Sequence, residues 1–306
     1  MQRYLLSRAI QSVMLMFGVL VLVFFLVRLT GDPARLMMPR DASPADVEAF
    51  REAMGFNEPL VRQFFGFMTN ALRGDFGRSL HFRAPAMRMV LERMPATLEL
   101  ALAALAFALF VAIPLGVIGG SRPGTIWDTI CRGVGLVGQT IPNFWLALMM
   151  ISFFSVSLGW FPTFGRGGVR SIVLPAVALG LFPLGKFTRL VRSAVLEVRN
   201  EDYIRTAYSK GLLDHRVYTH HIFLNVSVTL VSIVGVQFGY LLGGSIYIET
   251  IFSWPGVGRM IHEAVQARDF PLVQALAFVS AGFIVLLNLL TDIAYVLIDP
   301  RIRYED

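Results

Sequence analysis

The chain has 306 residues, 55% of them hydrophobic and only 16% charged, with a mean hydropathy of +0.63. This composition lies far outside that of a soluble domain and calls for a membrane. The formal charge of +6 and pI near 9.8 do not imply nucleic acid, because Lys and Arg collect mostly between apolar runs, where they report topology.

Six apolar runs are long enough to cross a bilayer, since about 20 helical residues at 1.5 Å each match a hydrocarbon core of roughly 30 Å. They lie at Ala9 to Val27, Thr97 to Gly119, Gly133 to Leu158, Ile172 to Arg192, Val226 to Ile248 and Leu272 to Ile298. The pattern predicts an all-α polytopic membrane protein, with residues 1–306 forming one transmembrane domain. Arg3 and Arg8 precede the first run as in a signal peptide, but the run is too long for that, and Arg28 to Pro33 contains no small-x-small cleavage site. A retained first helix is expected.

Charge counting orients the chain. With the N-terminus inside, inner segments hold thirteen Lys and Arg, including Lys186, Arg189 and Arg192, and the short outer loops hold four. Residues 30–96 form a loop longer than the roughly 60 residues over which the positive-inside rule applies, so their cations are set aside. Both termini are expected in the cytoplasm.

That outer loop carries helix signals. Ser43-Pro44-Ala45-Asp46 supplies a capping Ser, a Pro suited to the first helical position and a first-turn acid, and Gly55 is placed to end the helix. From Pro59 to Leu72, the residues Leu60, Phe64, Phe67, Met68 and Leu72 repeat at helical spacing. A small helical cap is expected, either packed on the membrane domain or docking a partner.

Gly235, Gly239 and Gly243 recur every fourth residue in the fifth run, and Gly116 and Gly120 do so in the second; such faces let helices approach closely in lipid. Polar residues within the runs are few: Glu99, Gln139, Asn143, Gln237, Asn288 and Asp292. Of these, Gln139, Asn143 and Gln237 are candidates for a translocation path. The lone Cys131 leaves no internal disulfide and reads as a packing residue.

Two motifs fail. Gly180-Leu181-Phe182-Pro183-Leu184-Gly185-Lys186 has the spacing of a phosphate-binding loop, but Phe187 follows where Ser or Thr is needed, and an apolar span precedes it. His262-Glu263-Ala264-Val265-Gln266 lacks the second histidine of a zinc-protease helix, and the adjacent His220 and His221 point to different helix faces. No catalytic residue, metal site or cofactor is therefore assigned to this chain.

Within the inner, cytoplasmic coupling loop expected at 193–224, Glu201 to Leu212 is a short polar island between apolar halves. Gly211 sits where a helix would end at positive φ, and Asp214 could cap the next, giving helix, turn and helix. Such a hairpin is a lever on which a partner can push. Tyr203-Ile204-Arg205-Thr206-Ala207 followed by Lys210-Gly211-Leu212 resembles the EAA-type coupling loop of ABC importer permeases, in the form of the dipeptide, oligopeptide and nickel branch. Ala207 and Gly211 match the motif's second alanine and glycine, while Arg205 and Thr206 stand in place of its glutamate and first alanine. Further stretches look like the same permeases, in order: Gly74 to Ser79, Leu241 to Gly244, Glu249 with Phe252, Pro255 to Gly258, Arg268 to Pro271 and Asp299 to Arg303.

The resemblance implies a dipeptide-permease-like subunit in the cytoplasmic (inner) membrane. Its partners would be a second homologous permease, two cytoplasmic ATPase subunits that carry ATP and Mg, and an extracytoplasmic substrate-binding protein. It also implies that Glu201, Asp202, Tyr203, Arg205, Thr206, Ala207, Lys210, Gly211 and Leu212 form the ATPase-coupling element. Glutathione, nickel chelates or glycosides are alternative cargoes. A secondary transporter is disfavoured because mid-span ionisable residues are lacking, although Pro142 and Pro175 are expected to interrupt spans.

Overall fold

The computed structural model describes residues 2–29, 31–38, 41–213, 216–217 and 223–298. Asp214, His220, His221 and the Asp299 to Arg303 motif lie outside them, as does the side chain of Asp292. The regular elements among the described residues are helices, with one isolated antiparallel bridge between Arg78 and Pro85. The chain divides into two compact units, Met1–Pro95 with Arg259–Leu286, and Ala96–Gly258 with Leu287–Asp306.

The first unit holds α1 (Gln2–Leu29), α2 (Pro33–Met37), α3 (Pro44–Ala53) and α4 (Leu60–Leu72). It also holds the start of α5 (Ala86–Ser121), most of α11 (Val257–Gln266) and the first part of α12 (Phe270–Ile298). Local chemistry explains α3 and α4. Ser43 Oγ accepts from Asp46 N, Pro44 opens the helix, and Gly55 follows its end at φ 69°. Pro59 precedes α4, whose apolar face turns Phe64 and Phe67 onto Phe24 of α1, with ring centroids at 5.1 and 5.6 Å. Phe76 extends this aromatic run to Phe278 of α12 at 5.2 Å. Arg28, just past the apolar stretch of α1, lies over the Phe24 ring at 3.5 Å, and burial lowers its pKa. Buried Asp269 ties the unit together. It accepts from the Ser79 hydroxyl and from His81 N, and its Oδ1 caps Leu272 N at the start of α12. Around these elements lies a cavity of about 770 Å³ lined by Phe24, Arg28, Phe67, Phe76 and Pro271.

The second unit is built on α8 (Val169–Arg199), against which α6 (Ile126–Thr140), α7 (Asn143–Met150) and α10 (Phe223–Ile251) pack. Glycines set the distances. A Cβ on Gly116 or Gly120 of α5 would stand 2.7 Å from Val191 or Val195 of α8, and one on Gly180 would stand 2.6 Å from the Ala104 carbonyl oxygen. At Gly235 of α10 a Cβ would strike Thr291, whereas at Gly239 and Gly243 it would meet open space among the described residues.

Among the described residues, four stretches of helix are long and apolar enough to cross a membrane: Ser7–Leu26, Ala86–Ser121, Val169–Arg199 and Phe270–Thr291. A bent pair of helices is a fifth candidate. The run Gly133 to Leu158, expected as one span, is two helices meeting at 101° between Thr140 and Asn143. Proline dictates the break: Ile141 is pushed to extended backbone, φ −78° and ψ 123°, ahead of Pro142. Beyond α7 the chain continues as a π-helical segment, Ile151–Ser157. Pro175 behaves otherwise. It and Pro183 lie inside continuous α8, so Pro175 does not interrupt that helix. The 29 residues of α10 extend roughly 43 Å at helical rise.

Candidate functional site

The polar island folds as a short helix and a tight turn. α8 ends at Asn200, Glu201 is the extended cap residue, and α9 runs Asp202–Ser209. Asp202 sits in the first turn, where a carboxylate complements the helix dipole. At the other end Gly211 adopts φ 75°. Its N–H donates to the Tyr208 carbonyl at 2.9 Å, and the Leu212 N–H reaches back to the Ala207 carbonyl at 3.3 Å. This pair of bonds is a Schellman motif, which closes the helix by placing one residue in the left-handed region.

The face of α9 that is held is narrow. Ile204 and Ala207 are buried, and Val217 beyond the turn is buried as well. Glu201, Asp202, Tyr203, Arg205, Thr206, Lys210 and Gly211 are exposed, and Leu212 is half-buried. Tyr203 presents 44% of its surface and Leu213 75%. α9 is thus pinned by an apolar pair and offers the opposite side, rich in charge and hydroxyl groups, to the surroundings.

The three candidate path residues have distinct environments. Gln237 of α10 is buried, and its Oε1 accepts from Lys186 Nζ at 2.8 Å. Gln139 of α6 donates to the Gly135 carbonyl at 3.0 Å and accepts from Arg189 at 3.2 Å. Asn143 opens α7 on the far side of the bend. Lys186, Arg189 and Arg192, counted as inner-segment charges, all belong to α8.

Of the buried ionisable groups, Asp128 escaped the sequence and Glu249 was named there only as part of a motif. Asp128 of α6 pairs with Arg192 at 2.5 Å, accepts from Gly124 N at 3.1 Å and has a side chain only 4% exposed. Glu249, at the end of α10, is fully buried and accepts from Thr97 at 2.8 Å, while Thr97 in turn accepts from Val257 N. The nearby Gly256 and Gly258 leave room for that carboxylate. The adjacent Trp254 donates to the Ala96 carbonyl at 2.8 Å. Glu99, exposed, pairs with Arg166. Lys186, counted among the inner-segment charges, stands near the midpoint of α8. Residues 180–186 form part of continuous α8, so their N–H groups serve the helix rather than a phosphate-cradling loop.

The chain matches known proteins along nearly its whole length. The family described as binding-protein-dependent transport system inner membrane component matches residues 112–304, and the N-terminal part of such a membrane component matches residues 1–101. A protein described as a peptide transport system permease of Brucella abortus is 40% identical, with both chains covered fully. The oligopeptide transport system permease of Bacillus subtilis is 36% identical over 99% of this chain and 100% of its own. The glutathione transport system permease of Escherichia coli is 35% identical, with full coverage of both. Among solved structures, the inward-facing MetNI methionine ABC transporter shares the fold with a TM-score of 0.57 at 18% identity, covering 70% of this chain and 97% of that one. The chain belongs to the family of binding-protein-dependent transport system inner membrane components and is a permease subunit of an ABC importer.

Proposed function

We propose that this chain is one of the two membrane subunits of an ATP-driven importer of peptides of the dipeptide and oligopeptide class. The observation that carries this reading is the end-to-end likeness to permeases named for peptide transport. In this reading the chain crosses the cytoplasmic membrane six times, α10 supplying the remaining span, with both termini inside. A second homologous permease, two ATPases bearing ATP and Mg, and an extracytoplasmic binding protein complete the machine. The chain has no ATPase site of its own.

The hairpin of residues 201–212 is the seat of the ATPase. α9 follows directly from α8 through Asn200 and Glu201, so force on the exposed side of α9 is transmitted into the helix around which the second unit packs. ATP-driven closure of the ATPases biases the bundle between inward- and outward-facing states, and it does so only through contacts that differ between them. Gly116, Gly120 and Gly235 hold helices at close range, and Gly239 and Gly243 leave a smooth strip for the second permease. The glutathione relative makes a tripeptide cargo the nearest alternative, with nickel chelates or glycosides beyond it.

Purifying the tagged chain in mild detergent from cells that express the whole transporter tests the assembly. An ATPase and a second permease should copurify, and the reconstituted complex should take up labelled di- or tripeptide only with ATP. Recovery of the chain without an ATPase, or uptake driven by an ion gradient alone, contradicts it.

A further inference from the structure

A lysine near the centre of a membrane-crossing helix is costly, and such residues tend to face protein or a polar path. Lys186 of α8 is half-buried, and among the described residues its ammonium is partnered by a neutral group, Gln237 Oε1 at 2.8 Å, rather than by a carboxylate. An ammonium has donors only, so the amide must turn its oxygen to the lysine. Gln237 Nε2 is then left as a donor; it is buried and has no acceptor among the described residues. One turn further along α8, Arg189 likewise faces a neutral amide, Gln139 Oε1, at 3.2 Å. Two cations on one face of α8 thus meet glutamines, and a buried amide donor beside them is unsatisfied. The group that completes this arrangement is an anion with two acceptor oxygens.

We propose that Lys186 and Gln237 form a station for the carboxylate of the transported peptide, with Arg189 adding positive charge beside it. The proposal rests on the peptide-importer reading and deepens it. One carboxylate oxygen accepts from Lys186 Nζ and the other from Gln237 Nε2, which neutralises the lysine and supplies the missing acceptor. Every unmodified peptide ends in a carboxylate, so a station that reads the terminus holds cargo without regard to side chains. Gln237 Nε2 is closed off in this structure, so the carboxylate gains its second bond only when α8 and α10 part. Occupancy thereby favours one state of the bundle through a contact absent in the other.

The test measures uptake of labelled trialanine and of its C-terminal amide by the complete transporter in proteoliposomes, at matched amounts of assembled complex, for wild type, Lys186→Met and Lys186→Arg. Methionine keeps length without charge. Trialanine uptake should fall about tenfold in K186M, the loss of one charge-assisted hydrogen bond, and recover in K186R, while uptake of the amide stays at its wild-type level. Undiminished trialanine uptake in K186M, an equal loss for the amide, or no rescue by arginine overturns the station and leaves the peptide reading standing. Failure of the wild-type transporter to carry trialanine overturns the peptide reading, and the station with it.

Discussion

Gly211 takes φ 75° to close α9, and a Cβ there would meet open space among the described residues. The demand for glycine is thus one of backbone conformation, not of packing. A β-branched residue pays the left-handed penalty of about 1–2 kcal/mol, whereas Asn tolerates that region well. Gly211→Val should therefore distort the turn and cut peptide uptake at least about fivefold while ATP hydrolysis by the assembled transporter persists, and Gly211→Asn should stay near wild type. Parallel assays of uptake and hydrolysis check both. This residue was legible in the sequence because its signal is local: a helix, then glycine, then an apolar residue. Ser43 and Gly55 were legible for the same reason. Lys186 was not, because charge counting assigns cations to inner segments, and its partner Gln237 lies 51 positions away.

At the scale of elements, the contact between α6 and α8 combines close backbone approach with a buried charge. A Cβ on Gly138 would stand 2.7 Å from the Leu181 carbonyl oxygen, and Asp128 with Arg192 pins the same pair of helices. Removing one partner of a buried pair strands the other. Asp128→Asn should lower the stability of the purified complex by about 3 kcal/mol, and Asp128→Leu combined with Arg192→Leu should recover much of that loss. Thermal unfolding of wild type, single and double variants measures the coupling; additive losses contradict a buried pair. The apolar runs marked where helices lie but not where they bend. Pro142 and Pro175 both read as breaks in the sequence; the chain does bend by 101° at Pro142, where Gln139, Thr140 and Asn143 also lower the local hydropathy, whereas Pro175 sits inside a continuous helix. The same residue type gives opposite outcomes, and α8, largely buried against neighbouring helices, is the setting in which an interior proline is tolerated.

For the whole molecule, membrane class followed from composition and the family from a series of short motifs spread along the chain. What composition could not show is which buried polar groups meet, since Asp128 with Arg192, Glu249 with Thr97 and Asp269 with Ser79 each join distant positions. α9 is pinned by Ile204 and Ala207, and its exposed side is the surface proposed to meet a cytoplasmic ATPase. A photo-crosslinking residue placed at Tyr203 or Thr206, on that exposed side, reports the neighbour directly in membranes containing the complete transporter. An adduct of the mass of this chain plus one ATPase subunit is expected, changing in yield when ATP is added. An adduct with the extracytoplasmic binding protein, or none with the ATPase from either position, would contradict it.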